Sequence, residues 1–78
     1  PPAPNNERLA KLDTMAAGFL AQSLGHATDA KKVLLIGARN RSAAKRKACR
    51  SDSCVADALV RQIRETSAIM ESPGGPSN

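Results

Sequence analysis

From residue 6 to about residue 23, apolar positions recur at intervals of three and four: Leu9, Leu12, Met15, Ala16, Phe19 and Leu20, with Ser23 closing the stripe. That spacing predicts an amphipathic helix that buries this face. Asn5 or Asn6 stands where an N-cap is needed, and Glu7 falls in the first turn, where the helix dipole favours an acid. Gly25 is the expected C-terminal cap. Gly18 lies inside the helix, costs about 1 kcal/mol relative to Ala, and reads as room for a neighbouring helix.

Thr28 and Asp29 open a second helix that continues to Ala48, a length of about 30 Å. At about 100° per residue, Ala30, Val33, Gly37, Ala44 and Ala48 share one face, and their small size predicts a close seam with another helix. Leu35 and Ile36 fall outside that face. The front half of the helix is therefore expected to be buried on two sides, with the first helix covering residues 34–36. Lys31, Lys32, Arg39, Arg46, Lys47 and Arg50 occupy the opposite half, with Arg41 and Lys45 beside the seam. A third stripe, Val55, Ala58, Leu59, Gln62, Ile63, Thr66 and Ile69 or Met70, predicts a third helix capped by Asp52 or Ser53. Asp57 with Arg61, and Arg61 with Glu65, are spaced for ion pairs on its wet side. No stretch alternates β-branched and polar residues as a strand would. The expected fold is all-α: a single helical domain over residues 6–71, an extended leader at 1–5 and a flexible tail or linker at 72–78.

The only two cysteines, Cys49 and Cys54, bracket the corner between the second and third helices. In one continuous helix they would lie about 140° apart around the axis, with Cα atoms more than about 8 Å apart. A disulfide cannot span that. A bridge therefore requires the helix to break, and Arg50-Ser51-Asp52-Ser53 supplies turn and capping chemistry at that point. The pattern predicts an antiparallel helical hairpin clipped by Cys49–Cys54, in a periplasmic or secreted protein, because such bridges persist in oxidising compartments. The other reading is two reduced thiols in a cytosolic domain.

The 78-residue length allows one small core, for which a covalent staple matters. Phe19 is the sole aromatic residue. The start at Pro1, without a methionine, reads as a processed N-terminus or an excised piece, and no stretch has the pattern of a signal region or a membrane span. The net charge of +5 is concentrated: residues 31–50 hold eight of the twelve Lys and Arg and no acid. A positive field of that kind suits an acidic protein, an anionic polymer or an anionic lipid surface. Arg39, Arg41, Lys45, Arg46, Lys47 and Arg50 are the candidate contact residues. The competing readings are a solvated helix face, with Arg46, Lys47 and Arg50 complementing the negative helix end, and a nucleic-acid-binding three-helix domain. Against nucleic acid stand the missing aromatics for stacking and the lack of a clear recognition helix. His26, the only histidine, follows Gly25 at a helix end, and no nucleophile motif surrounds any serine. The cysteine spacing matches neither a zinc pattern nor a Cys-x-x-Cys redox motif. The sequence thus gives no catalytic residue, no metal ligand set and no cofactor.

Arg46, Cys49, Asp52, Cys54, Val55 and Ile63 together resemble the lysozyme-inhibitor LprI N-terminal-like family of bacterial envelope proteins, over residues 35–65. The spacing between the cysteines is one residue shorter than the family's. Leu59 and Gln62 stand where its tyrosine and arginine would be, and its tryptophan is missing from the second helix. The resemblance implies an envelope location, a hairpin clipped by Cys49–Cys54 and a non-enzymatic role in binding a hydrolase. Lysozymes are usually basic, so a chain of charge +5 would be repelled by one.

Overall fold

The computed structural model describes residues 4–73, with side chains from Glu7 onward. It contains three α-helices: α1 (Pro4–His26), α2 (Asp29–Ala48) and α3 (Asp52–Glu71). The first three residues of the expected leader and most of the expected tail, residues 74–78, lie outside the described residues.

The direction of each helix follows from what its ends meet. Arg8 and Leu9 near the start of α1 lie beside Asp52, Ser53 and Ala56 at the start of α3. Lys31 at the start of α2 reaches the carbonyls of Met70 and Ser72 at the end of α3. The helices therefore run up, down and up, and α2 and α3 form the antiparallel hairpin. Helix α3 is the common partner. Both other helices pack along it, while α1 and α2 hardly touch each other.

The core is small and drawn from all three helices: Ala16 and Leu20 from α1, Leu35 and Ala38 from α2, and Ala56, Ala58 and Leu59 from α3. Ser23, Ser42, Gln62 and Thr66 are buried among them. Thr66 Oγ1 donates to the Gln62 carbonyl at 2.8 Å, and Ser42 Oγ donates to the Ala58 carbonyl at 3.5 Å. Both hydroxyls return a bond to helix backbone, which lets a hydroxyl sit in an apolar seam without a large desolvation cost.

Several expectations change. Helix α1 begins at Pro4, ahead of Asn5 and Asn6, as proline tolerates a first helical turn. It also passes through Gly25 and ends at His26. No described glycine has a positive φ, because the two-residue link turns through Thr28 in an extended conformation (φ −66°, ψ 165°). Met15 is 57% exposed, because the buried face centres on Ala16 and Ser23, about 100° around the axis from it. Gly18 accommodates no neighbour: a Cβ built there meets nothing within 4 Å.

The largest correction concerns α2. Its buried residues are Leu35, Ala38 and Ser42, so the seam is rotated by about 140° from the small-residue face. Ala30, Ala44 and Ala48 are exposed, and Val33 and Leu34 are 72% and 54% exposed. Leu34, expected under α1, is more than half exposed, and α1 packs mainly on α3. The α2 stripe contains only one large apolar side chain, Leu35, flanked by alanine and serine. Its periodicity is therefore masked by equally small residues on the outer face.

Candidate functional site

The hairpin corner sets the register of the basic stretch. Helix α2 ends at Ala48, Cys49 turns to an extended conformation, and its N–H donates to the Arg46 carbonyl at 3.1 Å. Ser51 is the N-cap of α3: its Oγ accepts from the Cys54 N–H at 3.1 Å. Capping by Ser51 instead of Asp52 or Ser53 places Asp52 in the first turn, where its charge faces the positive helix end. Cys49 and Cys54 are joined as a disulfide with Cα atoms 5.6 Å apart. The break in the helix makes that distance attainable.

The six candidate contact residues do not share one surface. Arg41 and Lys45 line a shallow cleft between α2 and α3, together with Ser42, Ala58, Arg61, Gln62 and Glu65. Arg39 and Arg46 line a different groove, between α1 and α2, whose α1 wall is Ala16, Ala17, Leu20, Ala21 and Leu24. Lys47 and Arg50 are exposed and line neither. Seven cations in the twenty residues of α2 are distributed around its axis, and α3 then separates them by packing through the middle of the set.

Their charge partners differ as well. Arg46 is half-buried and pairs with Asp13 of α1 at 3.7 Å, and its Nε is buried without a hydrogen-bond partner. It ties α1 to α2. Arg41 Nη2 donates to Glu65 Oε1 at 3.4 Å, so Glu65 pairs across the hairpin and not with Arg61. Arg41 also folds back along its own helix, with Nη1 3.4 Å from where a Cβ of Gly37 would lie. Arg39 Nη2 donates to the neighbouring Asn40 Oδ1 at 3.3 Å. Among the described residues, Arg39, Lys45, Lys47, Arg50 and Arg61 have no carboxylate within 4.0 Å.

Two roles have no counterpart in the sequence reading. Lys31 Nζ donates to the carbonyls of Met70 at 3.2 Å and Ser72 at 2.8 Å. It supplies the cation that α3 lacks in its own last turn. No local pattern signals this, because Lys31 and Ser72 are 41 residues apart. Arg61 is exposed, as expected of a wet-side residue, but has neither Asp57 nor Glu65 within 4.0 Å and lines the α2–α3 cleft with Arg41 and Lys45. His26 is the exposed last residue of α1.

No family model, curated protein or solved structure matches this chain. The fold places it among disulfide-clipped three-helix bundles, and none of the described helices is long and apolar enough to cross a membrane.

Proposed function

We propose that the protein is a non-catalytic helical module that binds an acidic protein through the outward cations of the α2–α3 hairpin, in the periplasm or outside the cell. The observation that carries this reading is the fate of the eight cations of residues 31–50. Lys31, Lys32, Arg41 and Arg46 are each engaged, with helix-end carbonyls, Asp29, Glu65 and Asp13 respectively. Arg39, Lys45, Lys47 and Arg50 are exposed and have no carboxylate partner among the described residues. Uncompensated charge on a rigid helical surface favours a partner of opposite sign and accelerates its association. The disulfide favours an oxidising compartment. The likeness to the lysozyme-inhibitor family supports a hydrolase as the partner class, and the Pro- and Gly-rich residues 72–78 support an accessory domain of a larger protein. Charge restricts that partner to one with an acidic surface.

Calorimetric titration with poly-glutamate at low and moderate salt tests the binding role. Binding that weakens with salt and is lost when Lys45, Lys47 and Arg50 are all changed to Glu is the expected result. No binding, or binding indifferent to that reversal, overturns it. Tighter binding to duplex DNA than to poly-glutamate, with a steep salt dependence, would place nucleic-acid binding first. The compartment is tested by alkylation and intact mass on protein from its native source. Two free thiols before reduction exclude an oxidising one.

A further inference from the structure

We infer that the cleft between α2 and α3 is a subsite for one tetrahedral oxyanion, a phosphate or sulfate group. This rests on the preceding reading and names the acidic group that the hairpin recognises best. The cleft has a volume of about 150 Å3, on the scale of one such group with its first waters. Arg41 and Lys45 are one turn apart on α2, Arg61 faces them from α3, and Glu65 is the one carboxylate in the lining. The lining thus carries three cations against one acid.

The placement of Arg41 distinguishes it from a chance crowding of surface charge. Arg41 is 65% exposed but is contacted on two sides. Its Nη2 bonds Glu65, and its Nη1 lies against the open flank of Gly37. Glu65 uses one edge of the guanidinium and leaves other N–H donors of the fork for an anion. Gln62, which is 3% exposed, lines both this cleft and the α1–α2 groove, and its Oε1 is buried without a hydrogen-bond partner among the described residues. A tetrahedral oxyanion in the cleft would accept from Arg41, Arg61 and Lys45. A planar carboxylate has fewer acceptor positions and reaches fewer of these donors at once.

The test follows amide and side-chain NMR shifts of the intact protein during titration with inorganic phosphate and with sulfate, using chloride at matched ionic strength as reference. Shifts confined to residues 41, 42, 45, 58, 61, 62 and 65 are expected. Two variants of equal charge loss then separate the cleft from the general field. Lys45→Gln with Arg61→Gln should weaken phosphate binding by about tenfold or more, through loss of two charge-assisted contacts. Lys47→Gln with Arg50→Gln should change it by less than about twofold, because screening confines distant exposed charges. All four positions are exposed, and an unchanged spectrum elsewhere verifies the fold of each variant. Shifts spread over the whole basic stretch, shifts reproduced by chloride, or equal loss in both variants would overturn the subsite. If poly-glutamate still binds in that case, the acidic-partner reading stands and only the subsite fails. If phosphate localises to the cleft but poly-glutamate does not bind, the reverse holds. An acidic peptide carrying one phosphoserine, compared with its unmodified form, separates a group borne on a protein from the free ion. Preference for the modified peptide supports the subsite, and indifference to the modification counts against it.

Discussion

At Gly18, helix α1 bears the entropic penalty of a glycine without any packing benefit, since a side chain there would meet nothing within 4 Å. Replacing it with Ala should stabilise the protein by about 1 kcal/mol and raise Tm by about 4–8 °C, measured by thermal circular dichroism. Ala38 and Ala44 test the orientation of α2 at the same scale. Ala38 is fully buried and Ala44 exposed. Ala38→Leu should cost about 1–3 kcal/mol through overpacking, and Ala44→Leu should stay within about 0.5 kcal/mol of the parent in urea unfolding. The opposite ranking would return the seam to the Ala30, Gly37 and Ala44 face. The sequence carries little information here because all of these residues are small. Burial is decided by where Leu35 points, and one leucine is a weak vote against a face of four small residues and a valine.

Each helix is legible from its own stripe to a different degree. For α3, Ala58, Leu59, Gln62 and Thr66 of the expected face are buried and Val55, Ile63, Ile69 and Met70 are half-buried, while Ala56, outside that face, is buried as well because α3 meets helices on both sides. For α1, Met15 departs from the expected set. Interactions between helix ends lie beyond any local pattern. Lys31 completes the C-terminus of α3 from another helix, and Lys31→Met should loosen that end by about 1 kcal/mol. The change should register as faster amide exchange at residues 68–72, with little effect on residues 58–62. The corner is more legible, because a disulfide geometry and a continuous helix are mutually exclusive. Replacing both cysteines with Ser should lower stability by about 2 kcal/mol, the chain-entropy value for so short a loop. An unchanged Tm would mean that the Ser51 cap and the hairpin packing hold the corner alone.

Over the whole molecule, the concentration of charge in residues 31–50 is plain from the amino-acid sequence, but its division is not. Read from the sequence alone, α2 and the corner after it offer six cations, Arg39 to Arg50, as one contact surface. The bundle instead engages Arg46 with α1, holds Arg41 over the hairpin cleft, brings Arg61 to face it from α3 and leaves Lys47 and Arg50 to solvent. That partition depends on the angle at which α2 meets α3, and the small-residue pattern points to the wrong one. It also gives a whole-molecule expectation: Asp13→Asn should leave Arg46 without its cross-groove partner and loosen α1. Because the pair is largely exposed on the Asp13 side, the cost should stay below about 1 kcal/mol, as measured by chemical denaturation.

The position of α3 as the shared partner has a consequence for how the chain reaches this state during synthesis. Helices α1 and α2 emerge first, and each has its apolar face prepared for a surface that does not yet exist. Since they hardly touch each other, they cannot shelter one another while they wait. Cooperative folding must await the residues around Leu59 and Thr66, in the last of the three helices. Until then, Leu20 and Leu35 stay accessible to any chaperone or protease that patrols the nascent polypeptide.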